Sequence, residues 1–88
     1  MASYKLQWLP SACSDLKKIH KKYVSKIIRK IEKLCDEPYS RGARKLKDAD
    51  KSYRLRLGDY RIIYQVDGQT ITITIIRIRH RKDVYRQK

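Results

Sequence analysis

The 88-residue chain carries 23 Lys and Arg against 9 Asp and Glu, a formal net charge of +14 at pH 7. A chain of this length buries only about 60–65% of the surface it exposes when unfolded, so residues 1–88 are read as a single domain around one continuous core, with no room for a deep pocket around a large organic cofactor. Hydrophobic residues make up 41%, which excludes a wholly disordered basic tail, and the excess positive charge calls for an anionic partner: nucleic acid, an acidic protein or an anionic membrane surface.

No stretch approaches the ~18–20 consecutive apolar residues of a membrane span, and the opening MASYKLQWLP lacks the apolar run of a secretory signal, so the expected location is cytoplasmic. Cys13 and Cys35 form no CxxC pair and have no neighbouring histidine to complete a metal set. They are read as reduced, packed thiols, and no metal or cofactor is expected.

Along the chain, Tyr4, Leu6 and Trp8 alternate with Ser3, Lys5 and Gln7, the period of a short half-buried strand, which Pro10 and Ser11 close as they open a helix. Ala12, Leu16, Ile19 and Tyr23 follow at helical spacing. Val24, Ile27, Ile28, Ile31, Leu34 and Cys35 then form the stripe of a second helix, with the turn of the helical hairpin expected around Tyr23 to Ser25. Lys17, Lys18, Lys21, Lys26 and Lys30 are read as a solvated face. Asp36, Glu37, Pro38, Ser40 and Gly42 end the second helix, and the stretch on to Lys51, anchored by Leu46 alone, reads as a basic loop.

From Ser52 the period becomes two, which predicts strands Tyr53–Leu57, Tyr60–Val66 and Gln69–Ile78 separated by Gly58-Asp59 and Asp67-Gly68. The fold expected is α+β: strand-helix-helix, then a three-stranded antiparallel meander, as one four-stranded, mainly antiparallel sheet with the helical hairpin on one face.

Two-residue turns at both sites would set Leu57 against Tyr60, Leu55 against Ile62, Tyr53 against Tyr64, and then Tyr64 against Ile71, Ile62 against Ile73 and Tyr60 against Ile75. These pairs make the core face. Arg54, Arg56, Arg61, Ile63, Thr72 and Thr74 fall on the other, with Arg56 directly across from Arg61. Along the last strand, Ile71, Ile73 and Ile75 keep the core parity but Ile76 and Ile78 do not, so the phase slips near Ile75-Ile76 as at a β-bulge, after which Arg77, Arg79 and Arg81 join the arginine face. Opposed like charges cost a sheet roughly 0.2–1 kcal/mol per pair, so stability alone does not select this arrangement.

The run Tyr53-Arg54-Leu55-Arg56-Leu57-Gly58-Asp59-Tyr60-Arg61-Ile62-Ile63-Tyr64, with a terminal His80-Arg81-Lys82-Asp83-Val84-Tyr85, resembles the RelE/ParE toxin superfamily, RelE-type toxins most closely, over nearly the whole chain. The resemblance implies a RelE-like fold and the toxin of a type II toxin-antitoxin system: a metal-independent endoribonuclease that cleaves translated mRNA in the ribosomal A site, inhibited by a cognate antitoxin that wraps it. In that mechanism the ribose 2′-OH attacks the adjacent phosphate, leaving a cyclic phosphate and a free 5′-OH.

Carried over residue by residue, Arg54 and Arg56 stand where many RelE toxins have lysines, Arg61 matches the arginine of the GDYR motif, and Arg81 and Tyr85 match the terminal arginine and tyrosine. Arginine suits a pentavalent phosphate because it is permanently charged and fork-shaped, but it cannot accept the proton. Tyr85, with family precedent, and His80, with an ordinary pKa of about 6.5, are therefore the candidates for proton transfer. The partners implied are a cognate antitoxin, the ribosome with mRNA in its A site, and RNA along the arginine-rich sheet face, with no membrane partner. The alternatives are a ParE-like inhibitor of DNA gyrase and a non-catalytic RNA-binding module whose arginines only neutralise phosphates.

Overall fold

In the computed structural model, which describes residues 3–39, 42–46 and 51–80, the N-terminal alternation becomes strand β1 (Lys5–Trp8), followed by helices α1 (Pro10–Lys17) and α2 (Lys21–Leu34). Four more strands follow: β2 (Ala43–Lys45), β3 (Ser52–Leu57), β4 (Tyr60–Asp67) and β5 (Thr72–His80). They build one five-stranded sheet in the order β1-β5-β4-β3-β2, parallel between β1 and β5 and antiparallel elsewhere. The α+β strand-helix-helix-meander order is as expected, but the sheet has five strands rather than four. Ala43–Lys45, read from the sequence as part of a loop, pairs with β3 instead.

The core lies between the helices and one face of the sheet. Ala12 of α1 and Ile27, Ile31 and Leu34 of α2 are fully or almost fully buried against Leu55, Ile62, Tyr64, Val66, Ile73, Ile75 and Ile78. The spacing of Ile27, Ile31 and Leu34 holds them on one side of α2, and each such side chain removed from water stabilises the fold by about 1.5–3 kcal/mol. Leu6 and Trp8, paired with Ile73 and Ile75, pack at the margin of this cluster as the strand pattern predicts. Cys35 is half-buried, but Cys13 is exposed rather than packed, and both are free thiols.

The break between the helices falls earlier than expected, across Lys18–His20, and Tyr23, Val24 and Ser25 lie inside α2. Lys18 and Ile19 close α1 by donating their amides three residues back, to Asp15 and Leu16, and His20 caps α2 with extended backbone while its Nδ1 accepts the Lys22 amide at 3.2 Å. This is the role Ser, Asp or Asn usually fills.

The β3–β4 register is the expected one throughout, Arg56 across from Arg61 included. Gly58 at φ +59° makes its two-residue turn possible, since a side chain at that φ would be strained. The β4–β5 register is not the expected one: Val66 pairs with Ile73, Tyr64 with Ile75, Ile62 with Ile78 and Tyr60 with His80. Asp67 remains in β4, opposite Thr72, and its Oδ1 accepts the amides of Gln69 at 2.9 Å and Thr70 at 3.3 Å. That Asx-type turn draws residues 68–71 into the connection, with Ile71 forced to φ 51°. The displacement is an even number of residues, so every side chain before the bulge keeps its predicted face. The bulge lies where the sequence places it: Ile75 pairs with Tyr64 and Arg77 with Ile63, leaving Ile76 between them.

Helix α1 covers the edge of β5 beyond the end of β1. Leu9 donates its amide to the Ile75 carbonyl at 2.9 Å, Ser11 Oγ donates to the Ile76 carbonyl at 2.7 Å, and the Ile78 amide donates to Asp15 Oδ2 at 2.9 Å. Backbone groups that would otherwise form an open sheet edge are thereby satisfied.

Candidate functional site

The face of the sheet away from the helices collects arginines because four adjacent strands contribute one or two each at the same parity. One row runs Arg44–Arg54–Ile63–Arg77 across β2, β3, β4 and β5. The next runs Arg56–Arg61–Arg79 across β3, β4 and β5. The sequence-predicted Arg54, Arg56 and Arg61 are therefore brought together, on the side opposite the buried Leu55 and Ile62.

The electrostatics of the cluster act on its centre. The Arg54 guanidinium is held below the ordinary arginine range, chiefly by partial desolvation and then by the positive charges of Arg61, Arg56 and Arg44. As a guanidinium it stays a cation near neutral pH. A surface that concentrates like charges in this way stores repulsion that an arriving polyanion relieves, and each guanidinium offers paired donors that match phosphate oxygens.

Arg77 differs from its neighbours. Its Nε and Nη2 each donate to Asp15 at 3.1 Å, and Asp15, a buried carboxylate on α1, also accepts the Ile78 amide. Arg77 thus shares the face by register, but its charge is already answered. Among the described residues this is the ion pair present, so Arg44, Arg54, Arg56, Arg61 and Arg79 face no carboxylate partner there. The sequence carried a signal for the clamp: Asp15 follows Ala12 by three residues on the buried stripe of α1, where a carboxylate has to find a donor.

His80 falls on the parity opposite to that of Arg54, Arg56 and Arg61. It pairs with Tyr60 in the register, on the parity of Ile62 and Ile78, and its ring lies edge-on to Tyr60 with centroids 5.0 Å apart. There it lines a cleft of about 300 Å³ with Tyr23, Lys26, Leu57 and Asp59, on the helical side of the sheet. Arg81 and Tyr85, the remaining predicted site residues, lie outside the described residues. Arg44 was missed by sequence reasoning, because three residues are too few to show a strand period.

A single sheet with a helical hairpin on one face and a field of arginines on the other defines a small basic α+β protein. The profile of the family described as ParE toxin of type II toxin-antitoxin system, parDE, matches residues 6–85, and the chain belongs to that family, within the RelE/ParE superfamily. Toxin RelG of Mycobacterium tuberculosis is 27% identical over 85 residues, covering 96% of this chain and 98% of RelG. In the crystal structure of the archaeal RelE–RelB complex of Pyrococcus horikoshii, the matched chain superposes with a TM-score of 0.80 at 27% identity, over 90% of this chain and 96% of that one. A chain of the RelBE2 toxin-antitoxin complex of Mycobacterium tuberculosis gives 0.79 at 25% identity, over 89% of this chain and 98% of its own length. The isolated RelE toxin of E. coli shares the fold, with a TM-score of 0.78 at 19% identity over 96% of this chain and 98% of that one.

Proposed function

We propose that this toxin is a ribosome-dependent endoribonuclease that cleaves translated mRNA in the ribosomal A site without a metal. The observation that carries this reading is the two-row arginine face centred on Arg54, Arg56 and Arg61. The 2′-OH of the message attacks the adjacent phosphate, the bond to the 5′ oxygen of the next nucleotide breaks, and the products are a 2′,3′-cyclic phosphate and a free 5′-OH. Arg61 and Arg56, side by side on adjacent strands, stabilise the phosphoryl oxygens as charge develops, Arg54 adds to the same field, and Arg81 is assigned the same role by the motif it matches. None of the four accepts a proton. Proton transfer is assigned to Tyr85, which matches the terminal tyrosine of RelE-type toxins and whose ring can also stack on a base, with His80, edge-on to Tyr60, as the alternative.

The likeness to chains solved in RelE–RelB complexes supports a cognate antitoxin as partner. A segment that neutralises the arginine face or the C-terminal residues would inhibit the toxin.

The test is induction in cells followed by mapping of 5′ ends on translated and untranslated copies of one message. New ends confined to the translated copy are expected. A second reading, a ParE-like inhibitor of DNA gyrase, is favoured by the ParE description of the matching family; it predicts no new RNA ends and loss of supercoiling by purified gyrase. A non-catalytic RNA-binding module would bind the message and leave both copies intact.

A further inference from the structure

Strand β2 exists for three residues, and its placement fixes one side chain. Ala43 is partly buried against the core and pairs with Leu55, while any Cβ at Gly42 would come within 3.2 Å of Leu55 Cδ1. Two small residues thus let the edge strand lie close on Leu55. Alternation then turns Arg44 to the opposite face, directly across from Arg54. Arg44 is exposed, is close enough to depress the Arg54 guanidinium, and has no carboxylate partner among the described residues. An edge strand selected for stability alone would put an acid opposite Arg54.

We infer that Arg44 is a positioning residue that holds the backbone of the RNA beside the reacting phosphate, on the β2 side of the arginine face. Arg44 is one strand spacing, about 4.8 Å, from Arg54 and two from the strand of Arg61, so it extends the charged field laterally and reaches a neighbouring phosphate rather than the one being cleaved. The inference rests on the nuclease reading above. Its signature is uniform: an arginine that grips backbone changes affinity and salt dependence, not the rate of the chemical step.

Binding to ribosomes programmed with a message, and cleavage of that message, are to be measured across a salt series for wild type, Arg44→Ala, Arg44→Lys and Arg61→Ala. Lys33→Ala, on the exposed side of α2, serves as the variant of equal charge change. Arg44→Ala is expected to weaken ribosome binding and raise KM by about tenfold, to leave kcat within about twofold, and to lower the slope of log affinity against log salt by about one contact. Arg44→Lys should keep the slope, and Lys33→Ala should change neither quantity. The melting transition of Arg44→Ala should stay at or above that of wild type, since a repulsion is removed.

Unchanged affinity and slope in Arg44→Ala while Arg61→Ala is inactive would overturn the role of Arg44 and leave the nuclease reading standing. Equal effects of Arg44→Ala and Lys33→Ala would reduce it to net charge and overturn it as well. Loss of an acidic protein partner by Arg44→Ala with ribosome affinity intact would reassign the residue and overturn the RNA role. Absence of salt-dependent ribosome binding by the wild type would overturn both the role and the reading.

Discussion

Asp15 shows how one side chain joins the fold to the candidate site. Its carboxylate takes three donors, two from Arg77 and one from the Ile78 amide, and so ties α1 to β5 immediately past the bulge. Removing it leaves a guanidinium and a buried amide without their acceptor. Asp15→Ala should therefore cost about 2–3 kcal/mol in chemical denaturation, the range for hydrogen bonds to charged groups with Arg77 partly exposed to water. Asp15→Asn should cost less, because an amide oxygen still accepts. Tyr64 is the second such residue: wholly buried, it donates its hydroxyl to the Pro38 carbonyl at 2.8 Å, and burial pushes that hydroxyl far above the ordinary tyrosine range. Tyr64→Phe keeps the ring stacked on Tyr53 and orphans a carbonyl, so a loss of about 1–2 kcal/mol is expected by the same measurement.

The two hairpins explain why one register was legible in the sequence and the other was not. Gly58-Asp59 and Asp67-Gly68 are the same two residue types in opposite order. In the first, glycine takes the positive φ and the chain reverses at once. In the second, the Asp67 carboxylate captures two amides beyond the turn, and the connection lengthens. Those amides hold Asp67 below the usual carboxylate range. With the folded pKa depressed, the stabilisation is present above the unfolded value of about 4 and is lost as pH falls through the folded value. The advantage in denaturation midpoint of wild type over Asp67→Asn, measured from pH 7 to pH 2.5, should accordingly shrink on the acid side. An advantage that grew toward acid would contradict the turn.

Other differences have equally local causes. The break at Lys18–His20 has no proline or glycine to mark it, and histidine is an uncommon cap. At the candidate site, alternation puts Arg54, Arg56 and Arg61 on one face, and the grouping holds because the β3–β4 register is the one the Gly58-Asp59 turn dictates. The same alternation, followed past the bulge, puts His80 with Ile78 on the core parity; its nearness in sequence to Arg79 and Arg81 and the ordinary pKa of a histidine make it a candidate. Arg44 and the Asp15–Arg77 clamp depend on contacts between distant segments, which a periodic pattern does not encode.

At the scale of the whole molecule, the two faces of the sheet divide the work. The helical side supplies stability through the Ile, Leu and Tyr core, and the other side carries charge at some cost to that stability. With a net charge of +14, long-range attraction to any polyanion is expected, so tight binding alone would say little. Binding to ribosomes should weaken steeply with salt, in proportion to the phosphates contacted; a flat dependence would send the search for the anionic partner elsewhere.

Charge attraction and catalysis separate in one comparison: the rate of cleavage of ribosome-bound message by wild type and by Arg61→Ala, at a protein concentration that saturates both. Arg61 lies on the non-core face, so the variant should fold normally and still bind. A fall in rate of roughly 10²–10³-fold or more is expected if the guanidinium stabilises charge on the phosphate as an oxyanion donor does. Cleavage at the wild-type rate by a folded, ribosome-bound Arg61→Ala would contradict the assignment of the arginine face as the site of the reaction.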